Sequence, residues 1–276
     1  MARGQPGAAT DRSRLAGRGA VVTGGGRGIG AAIARQLAAR GAAVVVCSRT
    51  PPQVERVAAQ LRAAGADAYA LVCDVADPDS VAAMARAAQG RLAARARTVD
   101  ILVNNAGIAD SAPFSRVSLD QWETLHRVNA TGPLLVTQAF LGGMLERGWG
   151  RIVNVSSVAS LHGAPYITAY AASKHALLGM ARCLAAELDG TGVTVNSVCP
   201  GYVDTPMTDQ SLAKIAAATG RPAEELRAGL KAAQPAGRLI TPDEVAGAVT
   251  RIAEDETGSI QGAEIAVEAP AHGGPA

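Results

Sequence analysis

The residues best suited to chemistry lie in one stretch, between Gly150 and Leu178. Tyr170 and Lys174 are four residues apart in a helical pattern, so both side chains project from the same face of the helix. A free tyrosine has a pKa of about 10, and a neighbouring cation favours the phenolate and lowers that pKa. We therefore expect Tyr170 to exchange a proton with an alcohol or carbonyl oxygen near neutral pH.

Ser157 precedes Tyr170 by thirteen residues and follows an apolar, β-branched strand pattern that ends at Val155. From the end of that strand, its hydroxyl can hydrogen-bond the oxygen that Tyr170 protonates. The spacing Tyr-x-x-x-Lys is also common in ordinary amphipathic helices with no catalytic role. The interpretation therefore depends on the elements that surround these residues.

A glycine-rich turn, TGGGRGIG at 23–30, separates the first apolar strand from the first helical run. The spacing of Gly24, Gly28 and Gly30 differs from that of the G-x-G-x-x-G fingerprint. The physical effect is the same, because glycine lets the backbone approach a pyrophosphate at the N-terminus of a helix. The turn predicts a dinucleotide-binding site.

The second strand ends at Ser48 and Arg49, where an acidic residue would be expected to bind the ribose hydroxyls of NAD(H). Arg27 lies in the glycine-rich turn nearby. Two guanidinium groups and a hydroxyl suit a 2′-phosphate, which favours NADP(H) over NAD(H). The alternative is that Arg49 is a solvated loop cation.

Three further polar residues follow strand or helix patterns. Asp74, at the tip of the third strand, can accept a hydrogen bond from an adenine amino group or cap the next helix, although Asp77 is better placed to cap it. Asn105 follows a buried strand, at the edge where ligands bind in open α/β sheets. Asn129 interrupts a helical pattern over 118–147, which indicates either a water-binding kink or a packing role.

The composition indicates one soluble domain. The 276 residues are 48% apolar with a formal net charge of +2, which does not favour a nucleic-acid partner, and no apolar run suggests a membrane span. The four cysteines form no C-x-x-C pair and are expected to be buried thiols in a reducing cytoplasm, and the histidines lack metal-ligand spacing. We predict a disordered extension at 1–18, a domain at 19–270 with a helical substrate lid at 206–237, and a loose tail at 271–276.

Several motifs occur together in an order that resembles the short-chain dehydrogenase/reductase family: TGGGRGIG at 23–30, NNAG at 104–107, Asn129, Ser157, Y-A-A-S-K at 170–174 and PG at 200–201. The resemblance implies a single Rossmann-type α/β domain, a doubly wound parallel sheet of about seven strands in three α/β/α layers. It also implies a catalytic set. Tyr170 would donate the proton, Ser157 would polarise the carbonyl, Lys174 would hold the ribose hydroxyls, and Asn129 would hold a water.

The resemblance and the residue patterns together predict a cofactor site. Its members are Gly24, Arg27, Gly28, Ile29, Gly30, Ser48, Arg49, Asp74, Val75, Asn105, Tyr170, Lys174, Val203 and Thr205. Members of the family are commonly homotetramers or dimers, so we expect one of these assemblies.

Within the family, phrases such as VVCSRT and VCPGYVDTPM resemble ketoreductases of polyketide pathways and 3-oxoacyl-thioester reductases. The expected function is NADPH-dependent reduction of such a carbonyl, with the thioester on CoA or on an acyl carrier protein whose phosphate could meet Arg221 and Arg227. One alternative is a dehydrogenase of a small secondary alcohol or 3-hydroxy acid. Another is a non-catalytic nicotinamide sensor.

Overall fold

A computed structural model of the chain describes residues 14–268. Within that range one parallel sheet contains seven strands, β1 (Gly19–Thr23), β2 (Ala43–Ser48), β3 (Ala68–Val72), β4 (Val99–Asn104), β5 (Gly150–Val155), β6 (Val193–Pro200) and β7 (Glu264–Val267). Their spatial order is β3-β2-β1-β4-β5-β6-β7. The central strands β4 and β5 are buried along their whole length because helices cover both faces of the sheet.

The helices of the described range are α1 (Gly28–Ala39), α2 (Pro51–Ala63), α3 (Pro78–Ala93), α4 (Leu119–His126), α5 (Gly132–Arg147), α6 (Thr168–Glu187), α7 (Pro206–Thr219), α8 (Ala223–Ala232) and α9 (Pro242–Ala253). Apolar side chains of α1, α2 and α9 form one core against the sheet. Those of α3, α5 and α6 form a second core on the opposite face. The predicted three-layer, Rossmann-type fold is confirmed.

The strand order reverses between β1 and β4, so the loops that follow these two strands diverge and leave a crevice at the carboxyl edge of the sheet. The glycine-rich turn follows β1, the NNAG segment ends β4, Ser157 follows β5 and the PG segment ends β6. The fold therefore gathers at one edge the motifs that lie far apart in the sequence.

The prediction of a disordered N-terminal extension is wrong for residues 14–18. Leu15 is fully buried, and its N–H donates to the carbonyl of Arg40 at 2.8 Å. The guanidinium of Arg18 lies 3.5 Å from the centre of the Trp149 ring. The arginine-rich composition of this segment led to a prediction of disorder, but the apolar side chain of Leu15 packs into the core formed by α1, α2 and α9. The rest of the predicted extension, residues 1–13, and the predicted tail at 271–276 lie outside the described residues.

The predicted insertion at 206–237 is helical and consists mainly of α7 and α8. The insertion follows β6 at the edge of the sheet where the crevice lies. We refer to α7 and α8 together as the roof of the crevice. The strand tips together with α6 are its floor. The roof is weakly anchored, because α7 buries only Leu212 and α8 buries no residue. Between residues 14 and 268, none of the helices has the length and apolar content needed to span a bilayer.

Candidate active site

A cleft of about 770 Å³ opens between floor and roof. All but one of the predicted site residues line it: Gly24, Arg27, Gly28, Ile29, Gly30, Ser48, Arg49, Asp74, Val75, Asn105, Ser157, Tyr170, Lys174, Val203 and Thr205. The exception is Asn129, which is fully buried behind the floor. The cleft is large enough for an extended ligand together with a second, smaller molecule.

The glycine-rich turn has the geometry of a phosphate cradle. Gly24 and Gly28 have φ angles of +64° and +51°, which residues other than glycine rarely adopt. A Cβ on Gly30 would lie 2.3 Å from the Gly24 carbonyl oxygen, so only glycine allows this approach. No side chain caps the N-terminus of α1, which leaves its N–H groups able to bind an anion.

Asn105 fastens this turn to the neighbouring strand. Its side-chain amide donates to the carbonyls of Thr23 at 2.9 Å and Gly24 at 3.2 Å, and its own N–H donates to the Thr23 hydroxyl at 3.0 Å. Asn105 therefore fixes the shape of the cradle, in addition to lining the cleft.

Arg27 and Arg49 are exposed at the end of the cleft beside β2. Among residues 14–268 neither guanidinium has an ion-pair or hydrogen-bond partner. Ser48 also lines the cleft, and in the described range its hydroxyl accepts from Thr50 N–H at 3.3 Å. Two unpaired cations and a hydroxyl that can still donate fit a phosphate group.

Asp74 is not the cap of the next helix. Asp77 caps α3 by accepting from Asp79 N–H at 3.0 Å, as the sequence favoured. The Asp74 carboxylate accepts from Ala76 N–H at 3.0 Å and lines the cleft. Its carboxylate therefore has the capacity to accept a further hydrogen bond from a ligand.

Lys174 is buried in the floor, and its Nζ donates to the carbonyl of Val155 at 3.0 Å. Burial lowers the pKa of Lys174 to about 8, because desolvation disfavours the ammonium form. At pH 7 this side chain is still mainly an ammonium ion. Lys174 and Tyr170 line the same cleft, so this cation can act on a ligand bound there.

The expected lowering of the Tyr170 pKa by Lys174 is wrong for the protein alone. Burial raises the pKa of Tyr170, and a hydrogen bond from Ser157 offsets part of that shift. In the protein alone the Lys174 ammonium donates to the Val155 carbonyl and does not offset this shift. Tyr170 therefore holds its proton firmly at neutral pH, which suits a proton donor.

Ser157 is oriented by its own loop. Its hydroxyl oxygen accepts from Ala159 N–H at 3.1 Å, so its O–H, which interacts with Tyr170 in the protein alone, can turn to donate to a substrate oxygen. Its main-chain carbonyl accepts from the Ser160 hydroxyl at 2.6 Å. Two O–H donors, from Ser157 and Tyr170, can thus converge on one substrate oxygen.

The predicted interruption at Asn129 is confirmed: residues Arg127–Thr131 form a π-helical turn between α4 and α5. The Asn129 amide donates to the Ile108 carbonyl at 2.9 Å and to the Ser173 hydroxyl at 3.0 Å, and its oxygen accepts from Ile108 N–H at 2.9 Å. Both of its N–H bonds are used. These bonds support the packing role, and the water-holding role stays a prediction.

Sequence reasoning missed two supporting serines. Ser173, inside the Y-A-A-S-K motif, accepts from Asn129 and donates to the carbonyl of Tyr170 at 2.7 Å, which joins the π-turn to α6. Ser173 is the serine of the Y-A-A-S-K motif, so the motif could have predicted this supporting role. Ser160 supports Ser157 by donating its hydroxyl to the Ser157 carbonyl. No motif in the sequence around Ser160 predicts this role.

In the roof, Leu212, Ile215 and Leu230 line the cleft, and Lys214 pairs with Asp110 across its mouth at 3.2 Å. The arginines expected to meet a phosphate already form ion pairs, Arg221 with Glu225 and Arg227 with Asp204 and Asp209. A phosphate would have to compete with these carboxylates.

No cluster of metal-ligating side chains is found in the range 14–268. The four cysteines are free thiols; Cys47, Cys73 and Cys199 are buried as expected, and the expectation is wrong for Cys183, which is exposed on α6.

Known proteins resemble this chain over most of its length. The model of a family described as short chain dehydrogenase matches residues 18–216. A Streptomyces violaceoruber protein named as a ketoacyl reductase of the granaticin polyketide synthase is 38% identical over 243 residues, 87% of this chain and 88% of that protein. The cis-4-hydroxycyclohexanecarboxylate dehydrogenase of Sinomonas cyclohexanicum is 40% identical over 250 residues, 90% of this chain and 94% of that enzyme.

A solved structure has the same fold. The crystal structure of a single-residue variant of actinorhodin polyketide ketoreductase with NADPH superposes with a TM-score of 0.86 at 35% identity, covering 92% of this chain and 97% of that one.

Proposed function

This chain belongs to the short-chain dehydrogenase/reductase family, and on that premise we propose that it is an NADPH-dependent ketoreductase of a 3-oxoacyl thioester or polyketide carbonyl. Its general class is that of NAD(P)-dependent oxidoreductases that act on CH–OH groups. The observation that carries the proposal is that Tyr170, Ser157 and Lys174 line the same cleft as the glycine-rich turn, and that burial raises the pKa of Tyr170.

The chain's own residues supply the acid chemistry. A bound nicotinamide supplies the hydride. Tyr170 donates its proton to the carbonyl oxygen as that oxygen becomes an alkoxide, and the Ser157 hydroxyl stabilises the developing charge through a hydrogen bond. Lys174 binds the ribose hydroxyls and brings a positive charge close to Tyr170, which eases release of the proton. The raised pKa of free Tyr170 keeps the proton in place until a substrate oxygen accepts it.

The preference for NADP(H) over NAD(H) rests on Arg27 and Arg49. These cations line the adenosine end of the cleft without partners among the described residues, whereas the roof arginines are paired with carboxylates. Binding a 2′-phosphate would give each guanidinium a charge-assisted hydrogen bond, worth roughly 1.5–3 kcal/mol. The loop after β2 carries no carboxylate to bind a free 2′-hydroxyl.

Two observations bear on the substrate. The roof presents apolar side chains, which suit an acyl chain or a polyketide better than a sugar. The Sinomonas relative, named for a dehydrogenase of a hydroxy acid, supports the alternative of a small secondary alcohol or 3-hydroxy acid. A purely sensory protein would not need Ser157, Tyr170 and Lys174 together.

We also propose that the chain forms a homodimer or homotetramer in the cytoplasm. Leu119 and Trp122 on α4, and Leu134 and Leu145 on α5, are large apolar side chains at least 37% exposed. A second copy would cover this surface. Light scattering of the purified protein measures the mass of the assembly, and a monomer would contradict the proposal.

Nicotinamide absorbance against time tests the function. NADPH and NADH are each supplied with an acetoacetyl thioester, on CoA and on an acyl carrier protein, and with a bulky bicyclic ketone, using wild type and Tyr170→Phe. We expect faster oxidation of NADPH, and loss of about 10²–10⁴-fold in rate for the variant. Turnover only with NAD(H) and a small hydroxy acid would favour the alternative, and equal behaviour of Tyr170→Phe would indicate a sensor.

A further inference from the structure

Helix α8 contacts the rest of the protein through very few side chains. Over Ala223–Ala232 every residue is exposed except Leu226, Arg227 and Leu230, which are half-buried. Leu230 also lines the cleft, so α8 forms part of the surface that a substrate meets. A helix that buries no residue needs another interaction to set its position.

Arg227 provides that interaction. One guanidinium nitrogen lies 3.0 Å from the Asp204 carboxylate, and the other pairs with Asp209 in the first turn of α7. The Arg227 side chain is only 22% exposed, although both carboxylates are more than half exposed. Its planar fork presents separate N–H donors to the two carboxylates, a geometry that a lysine ammonium does not reproduce.

Asp204 belongs to a segment that touches the cofactor site. It lies between Val203 and Thr205, both of which line the cleft. A Cβ on Gly28 would lie only 3.4 Å from the Thr205 methyl group, so Thr205 covers the glycine-rich turn. The Arg227–Asp204 pair therefore connects the roof to the loop over the phosphate cradle.

This loop is held from its other side as well. Asp204 N–H donates to the Ile240 carbonyl at 2.8 Å, and Ile240 N–H donates to Tyr202 at 2.9 Å. The Thr208 hydroxyl donates to Val203 at 2.6 Å. Arg227 thus attaches α8 to a loop that is already fixed.

We propose that Arg227 is a positioning residue: it holds α8, and with it Leu230, at a set distance from the loop over the cofactor cradle, and so defines the width of the substrate end of the cleft. This rests on the proposed function only in taking that end of the cleft as the place where the carbonyl compound binds. Arg227 touches neither substrate nor cofactor.

Arg221 is a matched control. It lies two residues before α8 and pairs at 2.7 Å with Glu225 in the first turn of that helix, so its ion pair stays within one segment. An exposed pair of this kind contributes little to stability. Arg221→Met removes a cation and an ion pair from the roof without detaching α8 from the floor.

Hydrogen–deuterium exchange of the protein without ligands tests the attachment directly. For Arg227→Met we expect the amides of 223–232 to exchange at least about fivefold faster than in wild type, and for Arg221→Met less than about twofold faster. Arg227→Lys should lie between, because an ammonium ion can satisfy one carboxylate well. If Arg227→Met exchanges like wild type, or if Arg221→Met exchanges as fast as Arg227→Met, the proposal is overturned.

Kinetics test the consequence. With whichever carbonyl substrate the enzyme turns over, Arg227→Met should raise the KM for that substrate about 5–20-fold, and the KM for nicotinamide less than about threefold. Added salt should raise the wild-type substrate KM and should have little effect on Arg227→Met, because screening weakens a pair that the variant lacks. A general loss of folding would instead lower kcat and leave both KM values unchanged, which would contradict positioning.

The experiments distinguish a failure of the proposed function from a failure of the role proposed for Arg227. If no carbonyl substrate is reduced but α8 exchange still depends on Arg227, the proposed function fails and the attachment stands. If reduction is observed and α8 exchange is unaffected, the function stands and the role of Arg227 is wrong.

Discussion

The floor and the roof of the cleft are built in opposite ways. In the floor, Lys174 is buried, Asn129 uses both N–H groups, and a Cβ on Gly30 would overlap the backbone of Gly24. In the roof, α7 buries only Leu212, α8 buries nothing, and ion pairs of Lys214 with Asp110 and of Arg227 with Asp204 help to hold the helices in place. Close packing therefore fixes the floor, whereas exposed ion pairs help to hold the roof.

This contrast separates two tasks. Proton transfer requires donors placed within hydrogen-bond distance of one oxygen, and a dense core supplies that precision. Choice of substrate depends on a surface that can be altered without disturbing the acid, and an exposed helical pair is such a surface. The following predictions test whether the division holds.

The largest contrast is between two lysines. Lys174→Met should lower kcat/KM by about 10²–10⁴-fold, because it removes the cation beside Tyr170. Lys214→Met should change kcat by less than about threefold, since Lys214 is exposed and pairs only with Asp110. Steady-state kinetics measure both, and comparable losses in the two variants would break the distinction.

The folded state of Lys174→Met can be checked separately. The pKa of folded Lys174 lies below its unfolded value, so above about pH 8 the unfolded chain holds a proton that the folded chain has lost. Stability therefore rises with pH through that window, and below it the buried ammonium is a cost. We expect Lys174→Met to be at least as stable as wild type at pH 7 by thermal unfolding.

The next contrast is between two glycines. Gly30→Ala would place a Cβ 2.3 Å from the Gly24 carbonyl oxygen, and we expect a loss of about 1–3 kcal/mol in stability with weaker cofactor binding. Gly229→Ala, in α8, meets open space and should stabilise the protein by about 0.5–1 kcal/mol. Denaturant unfolding compares them, and a tolerated Gly30→Ala would show that the floor is less tightly packed than its geometry implies.

A third prediction concerns the cationic end of the floor. Arg49→Ala should reduce the preference for NADPH over NADH by about 10–100-fold, because it removes a charge-assisted hydrogen bond to the 2′-phosphate. Arg56→Ala, on α2 outside the cleft, is the control and should leave that preference unchanged. The ratio of kcat/KM values measures the preference, and an unaltered ratio in Arg49→Ala would contradict the phosphate assignment.

The smallest effect is a pH dependence. Because the pKa of Lys174 is about 8 and its ammonium form binds the ribose hydroxyls, nicotinamide affinity should weaken as the pH rises from 7 to 9, by up to about tenfold. Titration calorimetry at several pH values measures it, with Lys174→Met as the flat reference. Constant wild-type affinity over this range would show that Lys174 keeps its proton.

Local patterns in the sequence predicted much of this protein correctly. The i, i+4 spacing of Tyr170 and Lys174, the glycine-rich turn and the break at Asn129 are all features of neighbouring residues. The capping box of α9, formed by Thr241 and Glu244, is likewise encoded by residues close together in the sequence. Periodicity, glycine conformation and capping act over a few residues, so the sequence displays them directly.

Other properties depended on contacts between distant segments. Leu15 is buried by a core that the N-terminal composition does not reveal, and Arg227 is paired with Asp204, 23 residues away. The pKa of Tyr170 rises because the assembled fold desolvates it, although its neighbour in sequence, Lys174, suggested the opposite. Burial and charge pairing are set by the whole fold, and for that reason the sequence identified the acid while only the tertiary structure decided how strongly it holds its proton.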